Sequence, residues 1–128
     1  MRTIFSVAIA TAIVALGSGV AFAQAPAKAG DSAKGKTLVD AKGMTLYILH
    51  RDTTPNKSTC NAQCAINWPP LMAAADAKDN GAYTVVTRDD GSKQWAYKGK
   101  PLYFWKDDKK AGDADGDGRN NVWHIAAP

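Results

Sequence analysis

One stretch of this chain is written twice. Laid over Lys98 to Asp108 (KGKPLYFWKDD), the run Lys42 to Asp52 (KGMTLYILHRD) shares Lys42/Lys98, Gly43/Gly99, Leu46/Leu102, Tyr47/Tyr103 and Asp52/Asp108 at an offset of 56 residues. Each copy is followed by a tryptophan, Trp68 lying 16 residues after Asp52 and Trp123 lying 15 after Asp108. Five spaced identities and a trailing tryptophan mark a duplication. The expectation is one core shared by two similar units, at about residues 37–71 and 93–126.

Within each unit a Gly turn leads into a run of aromatic and aliphatic residues, Thr45 to Leu49 and Pro101 to Trp105, which reads as a strand. Alternation sets Leu46 and Ile48 against Tyr47 and Leu49, and Leu102 and Phe104 against Tyr103 and Trp105. Both faces are apolar, so these strands should be central and covered on both sides. Further strands are predicted at Thr37 to Val39, Tyr83 to Thr87, Lys93 to Tyr97 and Val122 to Ile125, with Arg88 to Ser92 (RDDGS) as a hairpin turn. Asn61 to Asn67 and the run Leu71 to Lys78 are candidates for short helices, divided by Trp68-Pro69-Pro70. All twelve acidic residues are Asp, with eleven Gly and six Pro beside them, a composition of turns that excludes a helical bundle. The fold class is therefore mostly β: a small antiparallel domain of two similar halves with one or two short helices.

The first 23 residues read as an export signal: Met1-Arg2, an apolar run from Ile4 to Val20, and Ala21-Phe22-Ala23 as the cleavage pattern before Gln24. A permanent anchor is the rival reading, disfavoured because Ser, Thr and Gly dilute the run. Residues 24–35 (QAPAKAGDSAKG) lack apolar periodicity and are expected to be a flexible tether, leaving 36–128 as a single β-rich domain. The expected location is the periplasm or beyond, with no stable membrane anchor after cleavage and an oxidising environment.

The repeated Tyr-x4-Asp, the stretch STCNAQCAINWPPL (Ser58 to Leu71) and the stretch from Gly99 to His124 (GKPLY…AGDADGDG…WH) resemble the bacterial secreted repeat family of unknown function. Its members are commonly predicted lipoproteins that carry the repeat in tandem. This chain departs from them in having no cysteine at the cleavage point. The resemblance implies no activity.

Cys60 and Cys64 enclose three residues and suit a structural disulfide in an exported protein. The alternative is a soft metal site for copper or zinc, in which the two thiolates are completed by His50, His124, Met44 or Met72. No Cys-x-x-Cys-His is present, which excludes a c-type haem. Asp113, Asp115 and Asp117 match the opening of a calcium loop, but His124 stands where a bidentate Glu is needed. Tyr47/Asp52 and Tyr103/Asp108 are five apart, an odd offset that points the two side chains of a pair to opposite faces of a strand. The Asp must therefore cap a turn or meet a tyrosine from a neighbouring element. Trp68, Trp95, Trp105 and Trp123, with Tyr83 and Tyr97, are core residues or a stacking platform.

No nucleophile and base arrangement is visible, and the twelve lysines are scattered with few arginines, against nucleic acid. The reading is an exported, non-enzymatic envelope binding or accessory protein with no cofactor, its partner an envelope component or small ligand. The alternative is a periplasmic copper or thiol-redox protein built on Cys60 and Cys64.

Overall fold

A computed structural model describes residues 25–128; the export signal expected over residues 1–23, and Gln24, lie outside the described residues. The strands are β1 (Lys28–Ser32), β2 (Gly35–Val39), β3 (Tyr47–Leu49), β4 (Tyr83–Thr87), β5 (Lys93–Tyr97), β6 (Lys100–Pro101) and β7 (Trp123–Ile125). One short helix, α1 (Gln63–Asn67), and a 3-10 turn at Arg119–Asn121 complete the fold. All strand pairs are antiparallel: β1 with β2, β3 with β7, and β4–β5–β6. The predicted β4, β5 and intervening turn hold, as does the short helix before Trp68.

A local two-fold relation organises the halves. Tyr47 and Tyr103 exchange backbone hydrogen bonds, N–H to O at 2.8 and 3.0 Å, so the two signature runs lie side by side. Around them the bonds recur in matched pairs. Ala126 N–H donates to Leu46 O and Leu71 N–H to Leu102 O, each at 2.9 Å. Leu38 N–H donates to Ala126 O at 2.7 Å, and Trp95 N–H to Leu71 O at 2.8 Å. The hairpin β1–β2 thus occupies in one half the place that β4–β5 occupies in the other.

Three expectations need correction. The tether assigned to 24–35 in fact supplies β1 and the start of β2. Its small polar residues carry no periodicity because β1 is an edge strand held mainly by main-chain pairing to β2. The second signature run is not a continuous strand over Pro101 to Trp105: after β6 only Tyr103 makes bridges, to Tyr47 and to Pro70. Pro69 and Pro70 lie on that flank and have no N–H to extend a ladder. The stretch Leu71 to Lys78 is not helical. Met72 bridges to Gln94 and Ala73 N–H donates to Lys93 O, so the segment's first residues run along β5, and a turn closed by Ala77 N–H to Ala74 O follows.

The two-sided burial predicted from alternation is realised. Tyr47, Leu49, Tyr103 and Trp105 pack with Cys60, Trp68 and Trp123 on one side of the signature runs. Leu46 and Leu102 pack with Leu38, Ala27 and Ala126 on the other, covered in part by Ile48 and Phe104.

Candidate functional site

The signature residues meet across the two-fold. The Tyr103 hydroxyl donates to Asp52 Oδ2 at 2.6 Å, and the Tyr47 hydroxyl donates to Asp108 Oδ2 at 2.5 Å. Each tyrosine therefore pairs with the aspartate of the other repeat. The strand ends before the aspartate and the partner run lies alongside, which sets each carboxylate within reach of the other copy's tyrosine. Each aspartate also caps its own loop at the same repeat position: Asp52 Oδ1 accepts Thr59 N–H at 2.8 Å, and Asp108 Oδ1 accepts Asp115 N–H at 3.0 Å. Both expected roles, turn cap and tyrosine partner, are filled by the same carboxylate.

The rings follow the same symmetry. Trp68 and Trp123 stack at 3.8 Å with planes 5° apart, and each receives its own repeat's tyrosine edge-on, at 5.4 and 5.1 Å. Trp105 covers Trp68 at 4.3 Å and is itself covered by the Arg119 guanidinium at 4.5 Å. The faces of Trp68 are thus taken by other side chains, so it is not the open stacking platform that composition allowed. Gly116 closes against this stack: a Cβ there would lie 2.8 Å from Trp68 Cη2 and 3.0 Å from Trp105 Cβ.

Arg88 is the main residue that sequence reasoning missed, having been read only as part of a turn. It is buried, and its guanidinium donates to Ser58 Oγ at 3.0 Å, Gln94 Oε1 at 2.8 Å and the Cys60 carbonyl at 2.5 Å. Ser58 in turn contacts the Tyr103 hydroxyl at 2.7 Å. Because the tyrosine proton goes to Asp52, the serine donates to the tyrosine oxygen. A buried cation thereby ties the second hairpin to the cysteine loop of the first repeat and, through Ser58 and Tyr103, to Asp52. No local periodicity signals such a contact. Thr37 and Gln94, also fully buried, each hydrogen-bond a carbonyl of the signature runs: Thr37 Oγ1 to Leu46 O at 3.3 Å and Gln94 Nε2 to Leu102 O at 2.7 Å.

Residues 28–72 and again 84–127 match a family described as a secreted repeat of unknown function. The chain belongs to that family. The two matches begin 56 residues apart, the offset of the signature, and each takes in a β-hairpin, so the repeats start earlier than 37 and 93. No curated protein and no solved structure matches the chain. The protein is secreted, as the family is described; among the described residues no helix is long and apolar enough to cross a membrane.

In this secreted repeat Cys60 and Cys64 are joined as a disulfide, with Cα atoms 5.2 Å apart. Their sulfurs therefore offer no thiolate to a metal. His50 and His124 are both exposed; His124 lies on β7, its Nδ1 3.9 Å from Asp117 Oδ1. Asp113 accepts the Lys109 N–H at 2.9 Å, and Asp117 accepts the Ile125 N–H at 3.0 Å, so both carboxylates serve as loop caps. Among the described residues no group of three or more His, Cys or Asp side chains is arranged to hold a metal ion. The copper set (Cys60, Cys64, His50, His124) and the calcium set (Asp113, Asp115, Asp117) are not brought together, because these residues answer to separate local tasks.

Opening the disulfide, in a Cys60→Ser, Cys64→Ser variant, is expected to lower stability by roughly 2 kcal/mol, the chain-entropy value for so short a loop. Urea midpoints of the two proteins check this. A change below about 0.5 kcal/mol would show that Arg88 and Asp52 hold the loop without the covalent link.

Burial, reinforced by the hydrogen bond to Asp108, pushes the Tyr47 hydroxyl far above its ordinary value, and burial with Asp52 does the same for Tyr103. Groups raised in the folded state contribute stability that is intact below their unfolded value, about pH 10, and lost as the pH rises further. Burial likewise raises the Asp108 carboxyl, against the opposing hydrogen bonds from Tyr47 and Asp115. Its contribution is thus fully present below the ordinary aspartate range, about pH 4, and lost as the pH rises through the raised value. In alkaline titration the tyrosinate absorbance of Tyr47 and Tyr103 should appear only together with loss of the far-ultraviolet circular dichroism. Tyrosinate assigned to either residue by a Tyr→Phe variant, while the dichroism is still native, would contradict this.

Proposed function

We propose that this secreted protein is a non-catalytic binding or accessory module of the cell envelope. One observation carries the reading: the residue types that most often do chemistry in small exported domains are here consumed by the fold. Both signature tyrosines and aspartates are paired with each other, the cysteines with each other, and Trp68, Trp105 and Trp123 are packed ring against ring. A scaffold so fully committed internally acts through its surface and clefts. The partner is an envelope component or a small ligand, and neither nucleic acid nor a cofactor enters the reading.

Co-sedimentation tests it. The mature chain is expected to pellet saturably with isolated cell envelopes, and the Cys60→Ser, Cys64→Ser variant to pellet equally well. Stoichiometric copper uptake by the reduced protein, or envelope association that follows the thiol state, would instead support the metal or redox alternative.

A further inference from the structure

We infer that the cleft between β7 and the turn joining β5 to β6 binds a monocarboxylate with an apolar body, such as a medium-chain acyl or single-ring acid. The inference rests on the binding-module reading and names a ligand class for it. The cleft measures about 250 Å³ and is floored by Ile48, Ile125 and Ala126, with Tyr97 as a wall. Ile48, Ile125 and Tyr97 are only partly buried, so apolar surface is available there. Lys98 and Lys100 also line it, and no carboxylate does. This is the pattern of a small-molecule site: an apolar cavity with a few convergent polar groups.

The two ammonium groups are free of acidic partners. The ion pairs among the described residues are Lys36 with Asp31 and His124 with Asp117, and neither involves these lysines. The Lys98 ammonium instead lies 5.1 Å over the Tyr97 ring, at the cleft wall. Their backbone is held in place. Lys98 has φ 49° and Gly99 φ 82°, so both central residues of the turn are left-handed, a geometry comfortable for Gly or Asn and poor for Lys. The turn is pinned from both sides, by Lys98 N–H to Ala82 O at 2.8 Å and by Asn56 N–H to Gly99 O at 2.9 Å. A cation is thus kept at a strained position beside an apolar floor, which is where charge complementarity with a tailed anion would place it.

Titration of the mature, disulfide-closed chain with decanoate, followed by backbone amide NMR, tests the inference. Saturable shifts centred on Ile48, Tyr97, Ile125 and Ala126 are expected. A Lys98→Gln, Lys100→Gln variant, whose changes are on exposed side chains, should keep the parent thermal midpoint and bind about tenfold more weakly. Decanol should bind more weakly than decanoate and be indifferent to the lysines. Absence of saturation, shifts centred elsewhere, or equal binding by the double variant overturns the inference. Those failures leave envelope co-sedimentation standing, whereas loss of co-sedimentation with decanoate binding intact overturns only the envelope reading.

Discussion

Replacing Asp52 by alanine is expected to lower the stability of this domain by about 3 kcal/mol, a large part of the roughly 5–10 kcal/mol that a domain of this size holds. The carboxylate accepts from the Tyr103 hydroxyl and the Thr59 hydroxyl at 2.6 Å each, and from Thr59 N–H at 2.8 Å. Alanine would take the carboxylate from Tyr103, which is fully buried and has no route to water, while exposed Thr59 can turn its donors to solvent. Hydrogen bonds to a charged acceptor are worth about 1.5–3 kcal/mol each and do not add when they share that acceptor. Tyr103→Phe, which keeps the ring, should cost about 1–2 kcal/mol.

The sharper measurement is the double-mutant cycle. Asp52→Ala with Tyr103→Phe should show a coupling of about 1–3 kcal/mol, as should Asp108→Ala with Tyr47→Phe. The same-repeat pair, Asp52→Ala with Tyr47→Phe, should be additive to about 0.5 kcal/mol. Coupling within repeats in place of coupling between them would falsify the crossed arrangement. The distinction matters for function, because crossed pairs make each half incomplete without the other. The two repeats are then one cooperative unit, and the clefts on its surface move with it.

The second large effect is expected at Trp68. Trp68→Ala should cost about 3–5 kcal/mol, the upper range for large-to-small changes in a core. Its ring lies against Trp123 at 3.8 Å, Trp105 at 4.3 Å and Tyr47 at 5.4 Å, so one deletion opens contacts to three rings at once. Gly116 cannot relax into the gap without moving a loop whose Asp115 N–H is bound to Asp108. Trp95, only half-buried on β5 and outside both core clusters, supplies the control, and its alanine variant should cost clearly less. Equal urea midpoints for the two variants would mean that the stack is not what holds the halves together.

Much of the strand plan was legible locally. Tyr83 to Thr87 and Lys93 to Tyr97 carry β-branched and aromatic residues and flank an Asp-Asp-Gly turn, and they form β4 and β5 within those bounds. The failures have a common cause. β1 is invisible because its residues are small and polar and its stability lies in main-chain bonds to β2. The run after Pro70 has helix-permitting residues, yet its main chain is claimed by β5. Arg88 sits beside a turn, where charge is ordinary, and only its fold neighbours make it a buried clasp. At the cleft, the Lys-Gly turn was legible as part of the repeat, but its apolar floor comes from β3 and β7, far away in the chain.

What the sequence determined by itself is the duplication, the two apolar faces of each signature run and the demand that each Asp leave its own strand face. These follow from backbone periodicity, which acts over a few residues. Which tyrosine each aspartate meets was decided only in three dimensions. Tyr47 and Asp108 are 61 residues apart, and they come together because the two copies lie antiparallel at the Tyr47–Tyr103 exchange. The antiparallel pairing centred on the two tyrosines lays the copies side by side, the turns closed by Asp52 N–H to Leu49 O and Asp108 N–H to Trp105 O fold each aspartate back to the partner's tyrosine, and so a pattern written twice along the chain becomes a pair of contacts that neither copy can make alone.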